Sequence, residues 1–333
     1  MSNKIALVTG GAGFIGSHVV DLLIEKNYKV RIIDDLSGGR EENLKKHKNN
    51  PRLVLEKKNI CNLKDNESIF KDVQHVFHFA GKGDIVPSIE NPVLYLETNF
   101  NGTMKVLESS KNVSVNSFVY AASSSCYGLA STPTDEKHAI NPLYPYALSK
   151  YFGEQICLHW QKVYNLPVNS IRIFNAYGNR VKTTGAYGAV FGVFFKQKIE
   201  QKPFTIVGDG EQKRDFVNVK DVAEAFYLVS NSSTFGEIYN LGSGKPQTIN
   251  YLIQLIDGLN AKKIFLPKRP GEPDITWANI NKISNKFNWS PKISFNEGVK
   301  NMLNNIDNWN NAPLWDEDSI NQATKVWFKY MKG

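Results

Sequence analysis

Tyr146 and Lys150 stand four residues apart at the head of a predicted helix, and Ser123 opens a run of serines at the end of a predicted strand. Residues at i and i+4 share one helix face, so both side chains can enter one cleft. A free tyrosine titrates near ~10 and is a poor base at neutral pH. A neighbouring ammonium stabilises the phenolate and lowers that value. The pair therefore suits removal of a proton from an alcohol such as a sugar hydroxyl, with a serine hydroxyl holding the oxygen that loses it. Taken alone, the spacing is common on helix surfaces, and strand-end serines often only satisfy nearby backbone. The rest of the chain decides which reading holds.

Residues 5–16, Ile-Ala-Leu-Val-Thr-Gly-Gly-Ala-Gly-Phe-Ile-Gly, supply the first such context. Ile5–Val8 reads as a buried strand, and Ser17–Lys26 shows helical spacing of apolar residues. Between them lie Gly10, Gly11, Gly13 and Gly16, with Phe14 and Ile15 in the same turn. Strand, glycine turn and helix together seat a pyrophosphate at a helix N-terminus. The second predicted strand, Lys29–Ile33, ends in Asp34. A carboxylate there accepts both hydroxyls of an adenine ribose and repels a 2′-phosphate, which points to NAD.

Stepping outward, strands and helices alternate. Further strands are predicted at Leu53–Glu56, Val76–Phe79, Ser117–Ala121 and Val168–Phe174, and long helices over Pro92–Ser110 and Tyr146–Tyr164. This alternation predicts an α/β chain with a Rossmann-like, doubly wound parallel sheet. Its ligands gather where the strands end, at Gly10–Gly16, Asp34, Ala80-Gly81, Ser123–Ser125 and Asn175. After about residue 175 the rhythm breaks, and the polar, glycine-containing stretch Asn179–Gly188 reads as a loop over a site. The predicted division is an NAD-binding domain over 1–175 and a smaller mixed α/β substrate lobe over 176–303, some of whose segments return to the first domain. An extension over 304–333 holds Trp309, Trp315 and Trp327, read as packing the tail onto the body.

Composition narrows the function classes. The chain has 333 residues, 41% hydrophobic and 22% charged, as in ordinary globular proteins. It has no apolar run of membrane length and no secretory leader, so no membrane partner is expected. Three scattered cysteines, Cys61, Cys126 and Cys157, fit a reducing cytoplasm, and the histidines show no metal spacing. His75 and His78 read as structural. The formal charge of +8 is spread along the chain, so it points to anionic small ligands rather than nucleic acid.

The ordered motifs are similar to those of the extended short-chain dehydrogenases/reductases, specifically the nucleotide-sugar epimerases related to UDP-glucose 4-epimerase. They run from Lys4 to about Met302: TGGAGFIG, Asp34, His-Phe-Ala-Gly at 78–81, Asn99, the serines before Tyr127-Gly128, Tyr146-x-x-x-Lys150, and Phe174-Asn175. Gly208-Asp209-Gly210, Arg214-Asp215-Phe216, Asn240–Gly244 and Arg269–Glu272 follow. The resemblance implies that Gly10, Gly13, Phe14, Ile15, Gly16 and Asp34 bind NAD. It further implies that Asn59 and Ile60 flank the adenine, that Ala80, Gly81 and Asn99 line the cofactor pocket, and that Lys150 holds the nicotinamide ribose. Ser123 and Tyr146 become catalytic. Ser124, Ser125, Asn175, Arg214, Arg269, Glu272 and Thr276 fall to the nucleotide-diphosphate sugar. Asn59 departs from the family's usual aspartate, and its amide oxygen can still accept the adenine amine.

Two reactions fit that set. A 4-epimerase oxidises C4 through Tyr146 and NAD, lets the keto sugar turn, and returns the hydride to the other face. A 4,6-dehydratase shares the oxidation but needs an acid and a base after the Ser/Thr. Ser124 and Ser125 stand there instead, which favours epimerisation. A non-catalytic NAD sensor would tend to lose the Tyr–Lys pair. The resemblance also implies a homodimer through the helices over 92–110 and 146–164. It places Thr276 beside the sugar's C2 substituent, where a small residue leaves room for an N-acetyl group.

Overall fold

The computed structural model of the protein describes residues 4–181 and 190–331. Most of the predicted loop Asn179–Gly188 lies outside the described residues. The strands are β1 (Ile5–Thr9), β2 (Lys29–Asp34), β3 (Leu53–Lys57), β4 (His75–His78), β5 (Ser117–Ser123), β6 (Val168–Ile173), β7 (Asn175–Tyr177) and β8 (Phe204–Val207). The short β9 (Lys213–Arg214), β10 (Phe216–Asn218), β11 (Ile238–Leu241), β12 (Gln247–Thr248) and β13 (Lys263–Leu266) follow. The helices are α1 (Phe14–Glu25), α2 (Ile85–Glu90), α3 (Pro92–Leu96), α4 (Thr103–Asn112), α5 (Pro145–Tyr164), α6 (Val190–Ile199), α7 (Val219–Ser230), α8 (Ile249–Asp257), α9 (Asn281–Phe287), α10 (Phe295–Leu303) and α11 (Glu317–Tyr330).

Seven strands form one parallel sheet in the order β3-β2-β1-β4-β5-β6-β11. Ala6, Leu7 and Val8 of β1 are fully buried, as a central strand covered on both faces requires. Two apolar cores lie on the two faces. One holds Val19, Val20 and Leu23 of α1 with Val222, Phe226 and Val229 of α7. The other holds Val106 and Leu107 of α4 with Ile156 and Cys157 of α5. The edge strand β11 and α7 both come from beyond residue 175. A third core of phenylalanines, with Leu252 and Ile253 of α8 and Trp309, fills the remaining lobe.

The helix predicted over 92–110 is interrupted. A π-helical segment, Glu97–Gly102, joins α3 to α4 and carries Asn99. Such wide turns cluster at functional sites because they re-aim a side chain without ending the helix. His78 of β4 is wholly buried between Thr9 Oγ1 (2.6 Å) and Thr103 Oγ1 (2.9 Å). Burial pushes its imidazole down to about 3, so it stays neutral and ties β1, β4 and α4 together, in keeping with a structural role. Among the described residues no helix is long and apolar enough to cross a membrane.

Candidate active site

The sheet order reverses between β1 and β4, and a cleft of about 740 Å³ opens there at the carboxyl ends of the strands. Gly10, Gly13, Phe14, Ile15 and Gly16 line one end, at the N-terminus of α1. Gly10 takes φ +68°, and a Cβ on it would lie 2.7 Å from the Ala80 backbone nitrogen. A Cβ on Gly16 would collide with the Gly10 carbonyl oxygen. The turn is therefore closed to side chains, and it brings the positive end of the α1 dipole to the cleft.

Asp34 ends β2 and also lines this cleft. Its Oδ2 accepts from Ala12 N (2.9 Å) and its Oδ1 from Leu36 N (2.9 Å). Each oxygen keeps a further lone pair. Burial raises its carboxyl above the usual value, and the two backbone bonds oppose that. Asn59 and Ile60 lie on the same wall. The Asn59 oxygen already accepts from Cys61 N (2.8 Å), and its amide nitrogen donates to Asp35 Oδ2 (2.9 Å). Asp35 thus enters the cleft beside it, a carboxylate that the sequence reading did not single out.

Ala80 and Gly81 line the middle of the cleft. Asn99 sits behind them. Its Oδ1 accepts from Lys82 N (2.7 Å), and its Nδ2 donates to Lys82 O (3.0 Å) and Ser149 Oγ (2.8 Å). Its amide shapes the 81–83 loop rather than facing the cleft.

Ser123, Tyr146 and Lys150 share the next stretch of wall. Pro145 opens α5, where its missing N–H leaves no bond unmade. Tyr146 and Lys150 follow one turn apart. The sequence reading expected Lys150 to lower the phenol. Instead burial raises it, a hydrogen bond with Ser123 pulls it back, and the Asp84 carboxylate adds to the rise. The reason is positional. Lys150 Nζ lies 4.5 Å from the Tyr120 ring centre, against the face of that ring. Burial pushes the Lys150 ammonium itself down to about 8, with Cys157 and Glu154 opposing.

Ser123 Oγ lies 2.8 Å from Ser125 Oγ and accepts from Ser125 N (3.2 Å). Ser124 and Ser125 are not part of the cleft wall. Asp84 is, and its backbone takes φ +72° and ψ 133° just before α2. An L-residue rarely adopts that conformation, and strain of this kind marks functional loops. Nothing in the sequence around Asp84 announced it.

Asn175 lines the far end, and through it the cleft meets a second cluster. Thr276 Oγ1 donates to Asn175 Oδ1 (2.7 Å) and accepts from Asp215 N (3.2 Å). Arg214 Nη2 lies 2.8 Å from Glu272 Oε1, and Arg269 Nη1 lies 3.9 Å from Glu272 Oε2. Asp215 is wholly buried and ties the lobe together. It accepts from Ser243 N (2.6 Å), Ser243 Oγ (2.5 Å), Gly244 N (3.1 Å) and Ala278 N (2.9 Å). Tyr144 connects this cluster to the wall that carries Tyr146. Its ring lies parallel to that of Tyr146, with centres 6.4 Å apart, and its phenol feels the charges of Glu272 and Arg214. Sequence reasoning named the two arginines, Glu272, Asn175 and Thr276, but missed Asp215 and Tyr144 as their ties.

A family model described as GDP-mannose 4,6 dehydratase matches residues 7–302, nearly the whole span of these motifs. The chain belongs to this family of nucleotide-sugar epimerases and dehydratases. Within it, a UDP-glucuronate 4-epimerase of Thermodesulfobacterium geofontis is 33% identical over 90% of this chain and 94% of its own. Two solved structures share the family fold. The UDP-N-acetylglucosamine 4-epimerase of Methanobrevibacter ruminantium M1, in complex with UDP-N-acetylmuramic acid, superposes with TM-score 0.86 at 33% identity, covering 91% of this chain and 98% of that one. The UDP-glucuronic acid 4-epimerase of Bacillus cereus, in complex with UDP-glucuronic acid and NAD, superposes with TM-score 0.85 at 31% identity, covering 92% and 99%.

Proposed function

We propose that this protein is an NAD-dependent 4-epimerase of UDP-linked sugars, N-acetylated hexosamines included. One observation carries the reading. Ser123, Tyr146 and Lys150 stand on the same cleft wall as the glycine turn and Asp34, and serines rather than an acid–base pair follow Ser123.

The cleft suits NAD. Gly10 and Gly16 form a cradle that a Cβ would fill, and the spare lone pairs of Asp34 match two ribose hydroxyls. When bound, NAD supplies the acceptance and return of a hydride at the sugar's C4. The chain's own residues do the rest. Tyr146, in its phenolate form, takes the proton of the C4 hydroxyl and later gives it back. Ser123 holds that oxygen and, by its hydrogen bond, keeps the phenol from rising further. Lys150 brings positive charge to the cofactor side of the wall. Asn175, Arg214, Arg269 and Glu272 anchor the nucleotide diphosphate while the sugar turns. Arginine suits that task because its planar fork matches phosphate oxygens. Thr276, small and tethered to Asn175, leaves room beside C2.

The reaction is tested by the product. Incubation with UDP-N-acetylglucosamine or UDP-glucose gives a C4 epimer of unchanged mass. A product lighter by one water would make the protein a 4,6-dehydratase.

The same reading includes a cytoplasmic homodimer. Val93 and Leu94 of α3 and Phe152 and Val163 of α5 are exposed apolar side chains on the two helices that the family resemblance assigns to a subunit contact. A monomeric mass by light scattering at micromolar concentration would overturn the dimer.

A further inference from the structure

The family model stops at residue 302, yet the chain beyond it returns to the catalytic end of the cleft. Helix α11 begins with a reciprocal cap: Ser319 N donates to Asp316 Oδ1 (2.9 Å), and Asp316 N donates to Ser319 Oγ (2.9 Å). Its buried residues are Ile320, Thr324 and Trp327, one stripe on one face. That stripe ends at the turn carrying Arg269 and Glu272. Trp327 Nε1 donates to Pro270 O (2.8 Å), and the Arg269 guanidinium lies 5.5 Å from its ring centre. The Tyr144 ring lies 6.2 Å away on another side, and Tyr144 in turn stacks beside Tyr146. The Met331 methyl closes over the same turn, 3.4 Å from where a Cβ of Gly271 would stand.

Trp309 shows what an ordinary packing tryptophan of this extension looks like. It is fully buried in the lobe's core with its ring edge-on to Phe195, centres 4.7 Å apart. Trp327 differs. Its polar end bonds a loop carbonyl, its face meets a guanidinium, and its ring packs at a tilt against Tyr144, close to the general base.

We propose that α11 is part of the substrate pocket, and that Trp327 is a positioning residue holding the Arg269–Glu272 turn in the form that grips the nucleotide diphosphate. This rests on the reading of the site given above. A turn with positive φ at Gly271 (+71°) and two charged side chains loses a unique shape easily. Fixing it beforehand spares the ordering cost on binding. The extension adds that fixation from outside the family's common span.

The test is calorimetric titration of the full-length, NAD-containing protein with UDP. Trp327→Ala is expected to weaken UDP at least tenfold and to raise KM for the UDP-sugar more than it lowers kcat, with NAD content unchanged. Trp327→Phe keeps a ring against Arg269 but loses the bond to Pro270, so it should fall between the two. Phe328→Ala, on the exposed side of the same helix, should match the wild type. A merely structural role would lower the melting midpoint and leave the UDP affinity of the folded protein alone. Equal UDP affinity in wild type and Trp327→Ala therefore overturns the inference and spares the site. Should the alanine variant not fold, equal affinity in Trp327→Phe does the same. A wild type that binds no nucleoside diphosphate overturns both.

Discussion

The two ends of the cleft are built on different plans. At the proposed cofactor end, Gly10, Asp34, Ala80 and Ser123 sit at or just past the ends of parallel strands, and adjacent strands bring them together. At the other end, where Asn175 joins the cleft to the proposed substrate cluster, Asn175, Arg214, Glu272 and Thr276 come from separate short segments. Asp215 and Thr276 tie those segments together, alongside backbone bonds from Lys213 N to Asp274 O (2.8 Å) and from Thr276 N to Lys213 O (3.0 Å). In the first plan the sheet holds the rest when Asp34 or Ser123 changes, although Gly10 itself admits no side chain. The second depends on a few buried bonds, which makes it the more adaptable end and the more fragile.

Four substitutions probe that contrast, beginning with the largest effect. Tyr146→Phe removes the proton acceptor and leaves the sheet untouched. Turnover should fall by ~10²–10⁴-fold while NAD remains bound, read by steady-state kinetics and by cofactor content. Asp215→Ala leaves the buried N–H of Ala278 and the half-buried N–H groups of Ser243 and Gly244 without their acceptor. A buried group so left costs ~1–3 kcal/mol. Urea titration should show that loss, and UDP binding should fail before NAD binding does. Loss of both together would erase the distinction between the two ends.

Thr276→Tyr tests the pocket wall. The kcat/KM ratio of N-acetylated to plain sugar should drop by ~1–3 kcal/mol, as overfilled pockets typically do. An unchanged ratio would remove Thr276 from the wall and leave only its tether to Asn175. The smallest effect concerns stability. Lys150 is buried with its ammonium pushed from 10.5 down to about 8. Below pH 8 both folded and unfolded chains carry the charge, and the folded chain bears the full burial penalty. Between 8 and 10.5 the folded chain sheds the proton first and the penalty fades. Lys150→Met should therefore raise the melting midpoint of the cofactor-free protein by a few degrees at pH 7, with the gain shrinking as pH rises past 8. It should do so while abolishing activity.

What the sequence could reveal follows the same division. Ile5–Thr9, the glycine turn and Asp34 are contiguous or one βα unit apart, so local pattern suffices to place them. Tyr146 and Lys150 share one helix turn. The charge relation between them was not legible, because the burial of both and the Tyr120 ring under Lys150 arise from tertiary packing. Asp215 sat in plain view between Arg214 and Phe216. Its partners lie 28 and 63 residues away in sequence, and no spacing rule reaches that far. The resemblance puts Asn99 in the cofactor pocket, whereas in the structure its amide is spent on Lys82 and Ser149. Trp327 packs the tail onto the body, as its residue type implies, but that it does so on Pro270 is visible only in three dimensions.

The central claim is that a hydride leaves C4 and returns to C4. UDP-glucose carrying deuterium at C4, turned over in ordinary water and followed by proton NMR and mass spectrometry, tests it directly. The expected product is UDP-galactose that keeps its deuterium at C4, at the mass of the labelled substrate. Label lost to solvent, or found at C6 in a product lighter by one water, would contradict it.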